Sequence, residues 1–175
     1  MSLPNILISK KENIIKEWFD QILKDYPKET SHFLKTQKDS FSNPVGHVTL
    51  SAIERLFDGL INKVPLQNHS PYLTDIIKIR ALQEFTPSQA IGFIFLLKNI
   101  INIELNTLSD KENLLTELLE FESQIDNISL LAFDIYMECR EKLFEINSNQ
   151  VKDRMFRLLQ RANILVEKEA GIRAN

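Results

Sequence analysis

Glycine and proline are scarce in this sequence, with four Gly and six Pro in 175 residues. An all-β chain needs many tight turns, and tight turns draw on those two residues; the scarcity argues against that class. A single cysteine, Cys139, excludes an internal disulfide and any multi-cysteine zinc site. An excess of positive charge is missing as well: a formal net charge of -3 and a pI near 5.7 leave no electrostatic footprint for nucleic acid. The N-terminus lacks a basic stretch followed by a long apolar one, so no signal peptide is expected. The apolar run at residues 90–97 stops at Lys98, short of the roughly 20 residues that a membrane span needs. A cytoplasmic protein with no membrane insertion is the resulting expectation.

What is present is helical. The hydrophobic content of 43% and charged content of 26% are those of an ordinary globular domain. The first helix is predicted from about Ser9 to Asp25, opened by a Ser9/Glu12 capping box. Its apolar stripe is Ile14, Ile15, Trp18, Phe19, Ile22 and Leu23. A short helix follows over 30–38. Asn43-Pro44 then reads as N-cap and first turn of a helix running to about Lys63. Gly59 inside that helix costs about 1 kcal/mol relative to Ala, which close packing would offset. Ser70-Pro71 and Thr86-Pro87 open two more helices, and Gln89 completes a capping box with Thr86. The second of these is apolar nearly all round, which predicts a buried helix. Ser88, Gly92 and Asn99 form a small polar strip on it where another backbone can come close. A further capping box is read at Ser109 and Glu112. The last helix has a break predicted near residues 147–149, which are weak helix formers. Beyond it Val151, Met155, Leu158, Ala162 and Leu165 follow a 4-3-4-3 spacing, about two heptads of a seam. Two regions are therefore expected: a helical body over 1–146, and a C-terminal helix over 147–175 that pairs with a copy of itself or packs on its own domain.

Catalytic machinery is not visible. His32, His47 and His69 are scattered, and none stands at metal-ligand spacing from another His or a Glu. They read as solvated or hydrogen-bonded side chains. The central helices hold no His for a haem. Cys139 lies on an apolar face and reads as a buried, inert thiol. There is no phosphate-binding glycine loop and no nucleophile elbow. Neither an enzyme activity nor a cofactor is expected. One polar group stands out. Arg80 falls in the middle of the inner face set by Leu73, Ile76, Ile77 and Ile79, with Gln83 and Glu84 one turn on. A buried arginine needs a partner, and Glu84 at i+4 is the nearest. Lys98 sits similarly among Ile91, Ile94, Ile101 and Leu105. Arg80, Gln83, Glu84 and Lys98 are thus either an internal ion-pair network or a pocket for a small anionic ligand.

The run Ile79-Arg80-Ala81-Leu82-Gln83-Glu84-Phe85-Thr86-Pro87-Ser88-Gln89-Ala90, with Asn43-Pro44-Val45-Gly46 and the early Trp18, resembles the N-terminal domain of RsbRD-type RsbT co-antagonists of bacterial stress signalling. The resemblance covers about residues 10–145. It implies an all-α helical input module, by analogy globin-like without haem, of a kind that precedes a STAS output domain or a histidine kinase. No STAS sequence follows here, so direct RsbT antagonism is not carried over. Three readings result. The first is a sensor that reads a small ligand or a signalling protein and transmits through a dimeric C-terminal helix. The second is a plain interaction module whose Arg157, Arg161 and Lys168 steer an acidic partner. The third is a haem or thiol redox sensor using His47 or Cys139.

Overall fold

The computed structural model describes residues 2–106 and 114–173, with side chains described as far as residue 162. Among them are seven α-helices and no strand. The helices are α1 (Leu3–Ser9), α2 (Lys11–Ile22), α3 (Lys28–Thr36), α4 (Pro44–Ile61), α5 (Ser70–Leu82), α6 (Pro87–Leu105) and α7 (Leu115–Arg173). Short 3-10 turns at Leu23–Asp25 and Leu66–His69 follow α2 and precede α5. The chain divides into two compact units, Met1–Met137 and Glu138–Asn175.

In the first unit α2 lies along α6 and α4 along α5. Trp18 of α2 is fully buried, as its place in the stripe predicts, and its indole N–H donates to the Phe93 carbonyl of α6 at 2.6 Å. The start of the chain differs from expectation. A separate helix, α1, ends at Ser9, whose hydroxyl donates to the Ile6 carbonyl at 2.7 Å. Ser9 therefore closes one helix and does not cap the next, and α2 begins without a side-chain cap. Ser70 likewise lies inside α5 and does not cap it. The Thr86/Gln89 capping box is present in both halves.

Helix α6 is 19 residues long with mean hydropathy 1.2 over its most apolar window, enough by those two measures to cross a bilayer. In this fold Ala90, Phe93, Ile94, Leu97, Ile100, Ile101 and Leu105 are buried, while Phe95 (43%) and Ile103 (67%) are exposed. Its burial is thus one-sided, because the apolar composition exceeds what the neighbouring helices cover. The small strip brings no backbone close: a Cβ added at Gly92 would meet nothing within 4 Å. Gly59 does have a packing role, since its missing Cβ makes room for the His69 ring. That imidazole is 2% exposed; of the two predicted states, solvated or hydrogen-bonded, it takes the second, with a hydrogen bond to the Val64 backbone, while its Nδ1 has no partner among the described residues.

Helix α7 runs without interruption through Asn147, Ser148 and Asn149. The weak helix formers there are tolerated inside a long hydrogen-bonded run, and the predicted break is absent. The predicted Ser109/Glu112 cap and the Leu165 and Lys168 side chains lie outside the described residues. Cys139 is half-buried, not buried as predicted.

Candidate functional site

The corner joining α5 to α6 is built around Arg80. Its side chain is 1% exposed. One guanidinium nitrogen, Nη1, donates to the Asp25 carboxylate at 3.1 Å and to the Gln89 carbonyl at 2.7 Å. The guanidinium carbon lies 5.0 Å from the centroids of both Phe85 and Phe93, within cation–π range. The other nitrogen, Nη2, is buried and has no partner among the described residues. Tyr136 donates to the Phe85 carbonyl at 2.6 Å, and Tyr26 donates to the Gln83 side chain at 2.9 Å. Tyr26 also meets Phe85 edge-on at 5.5 Å. Burial pushes the Tyr26 phenol above its ordinary pKa, against the pull of the Arg80 charge.

The four residues read as an ion-pair network or a pocket show no hydrogen bond or ion pair to one another among the described residues. Glu84 is not Arg80's partner, because α5 ends at Leu82 and the helical i+4 relation ends with it. Glu84 instead takes a left-handed backbone (φ 61°) and is exposed. There the Phe85 N–H donates to the Arg80 carbonyl and the Glu84 N–H to the Ala81 carbonyl, a helix-ending Schellman pattern. Gln83 is exposed and bonded to Tyr26. Lys98 is half-buried, with its ammonium 2.6 Å from Asp126 of α7. Arg80's actual counter-ion, Asp25, is 55 residues away in sequence, and no helical periodicity reaches that far.

A second feature is a cleft of about 770 Å³ between α2, α3 and α4. Its floor is apolar: Ile15, Phe19, Leu34 and Leu50. Its wall depends on the Asn43-Pro44-Val45-Gly46 stretch. The Asn43 amide donates to the Leu34 and Gln37 carbonyls at 2.8 and 2.9 Å, and its oxygen accepts from the Gly46 N–H at 2.9 Å. One buried side chain thus fastens the end of α3 to the start of α4. A Cβ at Gly46 would lie 2.8 Å from the Leu34 carbonyl oxygen and closer still to Asn43, so only glycine fits. No periodicity pointed to this cleft; the signal available was the Asn-Pro cap with a glycine three residues after Asn43.

Residues 12–151 match the RsbT co-antagonist protein RsbRD N-terminal domain. The chain belongs to this family. Membership brings with it a signalling or regulatory role. An uncharacterised protein of Archaeoglobus fulgidus is similar as well, at 26% identity over 137 residues, which is 78% of this chain and 81% of that protein. No solved structure matches. Within this RsbRD-type domain, the motif residues of the α5–α6 corner are largely structural fasteners: Arg80 to Gln89, and Gln89 to Thr86. The predicted seam begins at Val151, where the family match ends. Val151 (60%), Met155 (56%) and Leu158 (65%) are exposed, as is Ala162.

Proposed function

We propose that this RsbRD-type domain is a non-catalytic sensory module that works in a cytoplasmic stress response, and that it passes its signal on through a homodimeric C-terminal helix. The observation that supports this is the exposure of Phe144, Val151, Met155, Leu158 and Leu159, each at least 56% exposed, on the second unit. Phe144, Val151 and Leu158 recur every seven residues. Monomeric soluble proteins seldom leave so much contiguous apolar surface in water. The heptad spacing suits a second helix laid alongside, and a second copy always supplies one. Two arrangements of such a pair differing by a few kcal/mol form the kind of element that a signal can bias.

Sedimentation equilibrium tests the reading. The unaltered chain should be a dimer at micromolar concentration, and Leu158→Asp, at an exposed position, should be a folded monomer. A Leu158→Asp protein that stays dimeric removes the seam as the interface.

A second reading has its own support. Lys152, Arg154, Arg157 and Arg161 outnumber the single acid Asp153 between residues 151 and 162, and all are exposed. A cationic, apolar strip also fits an acidic helix of another signalling protein, with no ligand involved. Thermal-shift screening separates the two. A ligand at a hundredfold excess over its Kd adds about 2.7 kcal/mol of stability, whereas a plain interaction module stays silent across a broad metabolite panel.

A further inference from the structure

We propose that the cleft between α2, α3 and α4 binds a short apolar peptide with free termini, about three to four residues long. This rests on the sensory reading and names the class of signal. A volume near 770 Å³ is in the range of small-molecule sites, and the floor of Ile15, Phe19, Leu34 and Leu50 offers apolar contact.

The two ends of the cleft carry opposite charge. Lys11 at the start of α2 pairs with Asp58 in the second half of α4, while Asp20 near the end of α2 pairs with Lys35 at 2.7 Å near the end of α3. Helices α2 and α4 therefore run in opposite directions along the cleft. Glu12 stands at one end, next to Lys11; Lys35, Gln37, Lys38 and His47 stand at the other. Lys11, Asp20 and Lys35 are engaged in those ion pairs, and Lys16 and Glu54 lie midway. Glu12, Glu54, Lys16 and Lys38 have no ion-pair partner among the described residues.

An occupant that satisfies both ends needs an ammonium, an apolar middle and a carboxylate. From Glu12 to Asp20 is eight helical residues, about 12 Å at 1.5 Å each. An extended peptide spans about 3.3 Å per residue, so three to four residues bridge that length. A simple anion would leave the Glu12 end unanswered, and a simple cation the Lys38 end.

Calorimetry on the full chain with the unblocked tetrapeptide Ala-Leu-Leu-Ala is the test, with N-acetylated, C-amidated and doubly blocked versions as arms. The unblocked peptide should bind. Each blocking group should weaken binding about threefold to fivefold, the size of an exposed ion pair. Glu12→Gln should erase the effect of acetylation alone, and Lys38→Gln the effect of amidation alone. These are exposed surface changes, so the fold is kept. The proposal is overturned if nothing binds, or if the doubly blocked peptide binds as tightly as the free one. The same samples in the ultracentrifuge keep the outcomes apart: loss of peptide binding with the dimer intact defeats the cleft proposal and leaves the sensory module standing.

Discussion

The α5–α6 corner and the C-terminal length of α7 use their side chains in opposite ways. At the corner nearly every polar group is engaged, and the charged Arg80 is shut away from water. Along residues 149–162 of α7 every described side chain is exposed, including Phe156, Leu158 and Leu159. The distinctive motif belongs to the region that holds the fold together. The region with an unremarkable sequence has the exposed apolar surface, and that exposure is the ground on which a partner helix is proposed. A specific motif is therefore not, by itself, the address of a function.

The sharpest way to break that comparison is to remove Asp25. A buried cation stripped of its counter-ion is strongly destabilising, by about 3–5 kcal/mol where both charges are buried. Asp25 is 35% exposed, so Asp25→Ala should cost about 2–3 kcal/mol after discounting for solvent. Arg80→Met should cost less, since the orphaned Asp25 carboxylate can be rehydrated while the apolar chain still packs between Phe85 and Phe93. Urea unfolding with an unchanged m-value measures both. If the order of the two variants were reversed, the corner would not depend on neutralising a buried charge. Neither substitution should alter the oligomeric state.

How much of this could be read beforehand follows the range of the interactions. Asn43 as N-cap and the Thr86/Gln89 capping box are decided within a few residues, and both are present. The Ser9/Glu12 pattern has the same grammar and fails, because α1 ends where the cap was expected to begin a helix. The helical wheel placed Arg80 inside correctly. It then chose Glu84 as partner, since a wheel sees only its own helix and cannot see where that helix stops or that Asp25 lies alongside. The apolar girth of α6 predicted burial; which side is covered depends on neighbours that composition does not name. The cleft was invisible for the same reason: three helices build it, and the Asn43–Gly46 fastening that sets its wall looks in sequence like an ordinary helix start.

Acidification should separate the two regions next. Burial holds the His69 imidazole below its ordinary range, partly offset by a backbone hydrogen bond to Val64. In the unfolded chain the group titrates near 6.5. As pH falls below that value the unfolded state takes up the proton first, so the stability of the first unit should fall and keep falling until pH passes below the folded pKa. Above about pH 7 this group should contribute no pH dependence. Thermal melts from pH 5 to pH 8 should show the decline, and His69→Gln should flatten it. An unchanged profile in that variant assigns the acid sensitivity to another group. Residues 149–162 hold no histidine.

The smallest expected effect sits at the corner itself. Glu84 occupies the helix-ending position that usually belongs to glycine, at φ 61°, and Lys63 does the same after α4 at φ 51°. A left-handed backbone costs an L-residue about 1 kcal/mol or more, while glycine gives back part of that through a looser unfolded chain. Glu84→Gly should therefore raise stability by only about 0.5 kcal/mol, the difference of those two opposing terms. Glu84→Ala is the control, since it removes the carboxylate and keeps the strain. Should alanine stabilise as much as glycine, the gain would come from the lost charge and the backbone would be unstrained. Should glycine alone stabilise, the corner tolerates a strained residue at the one place where its side chain has no bonding duty.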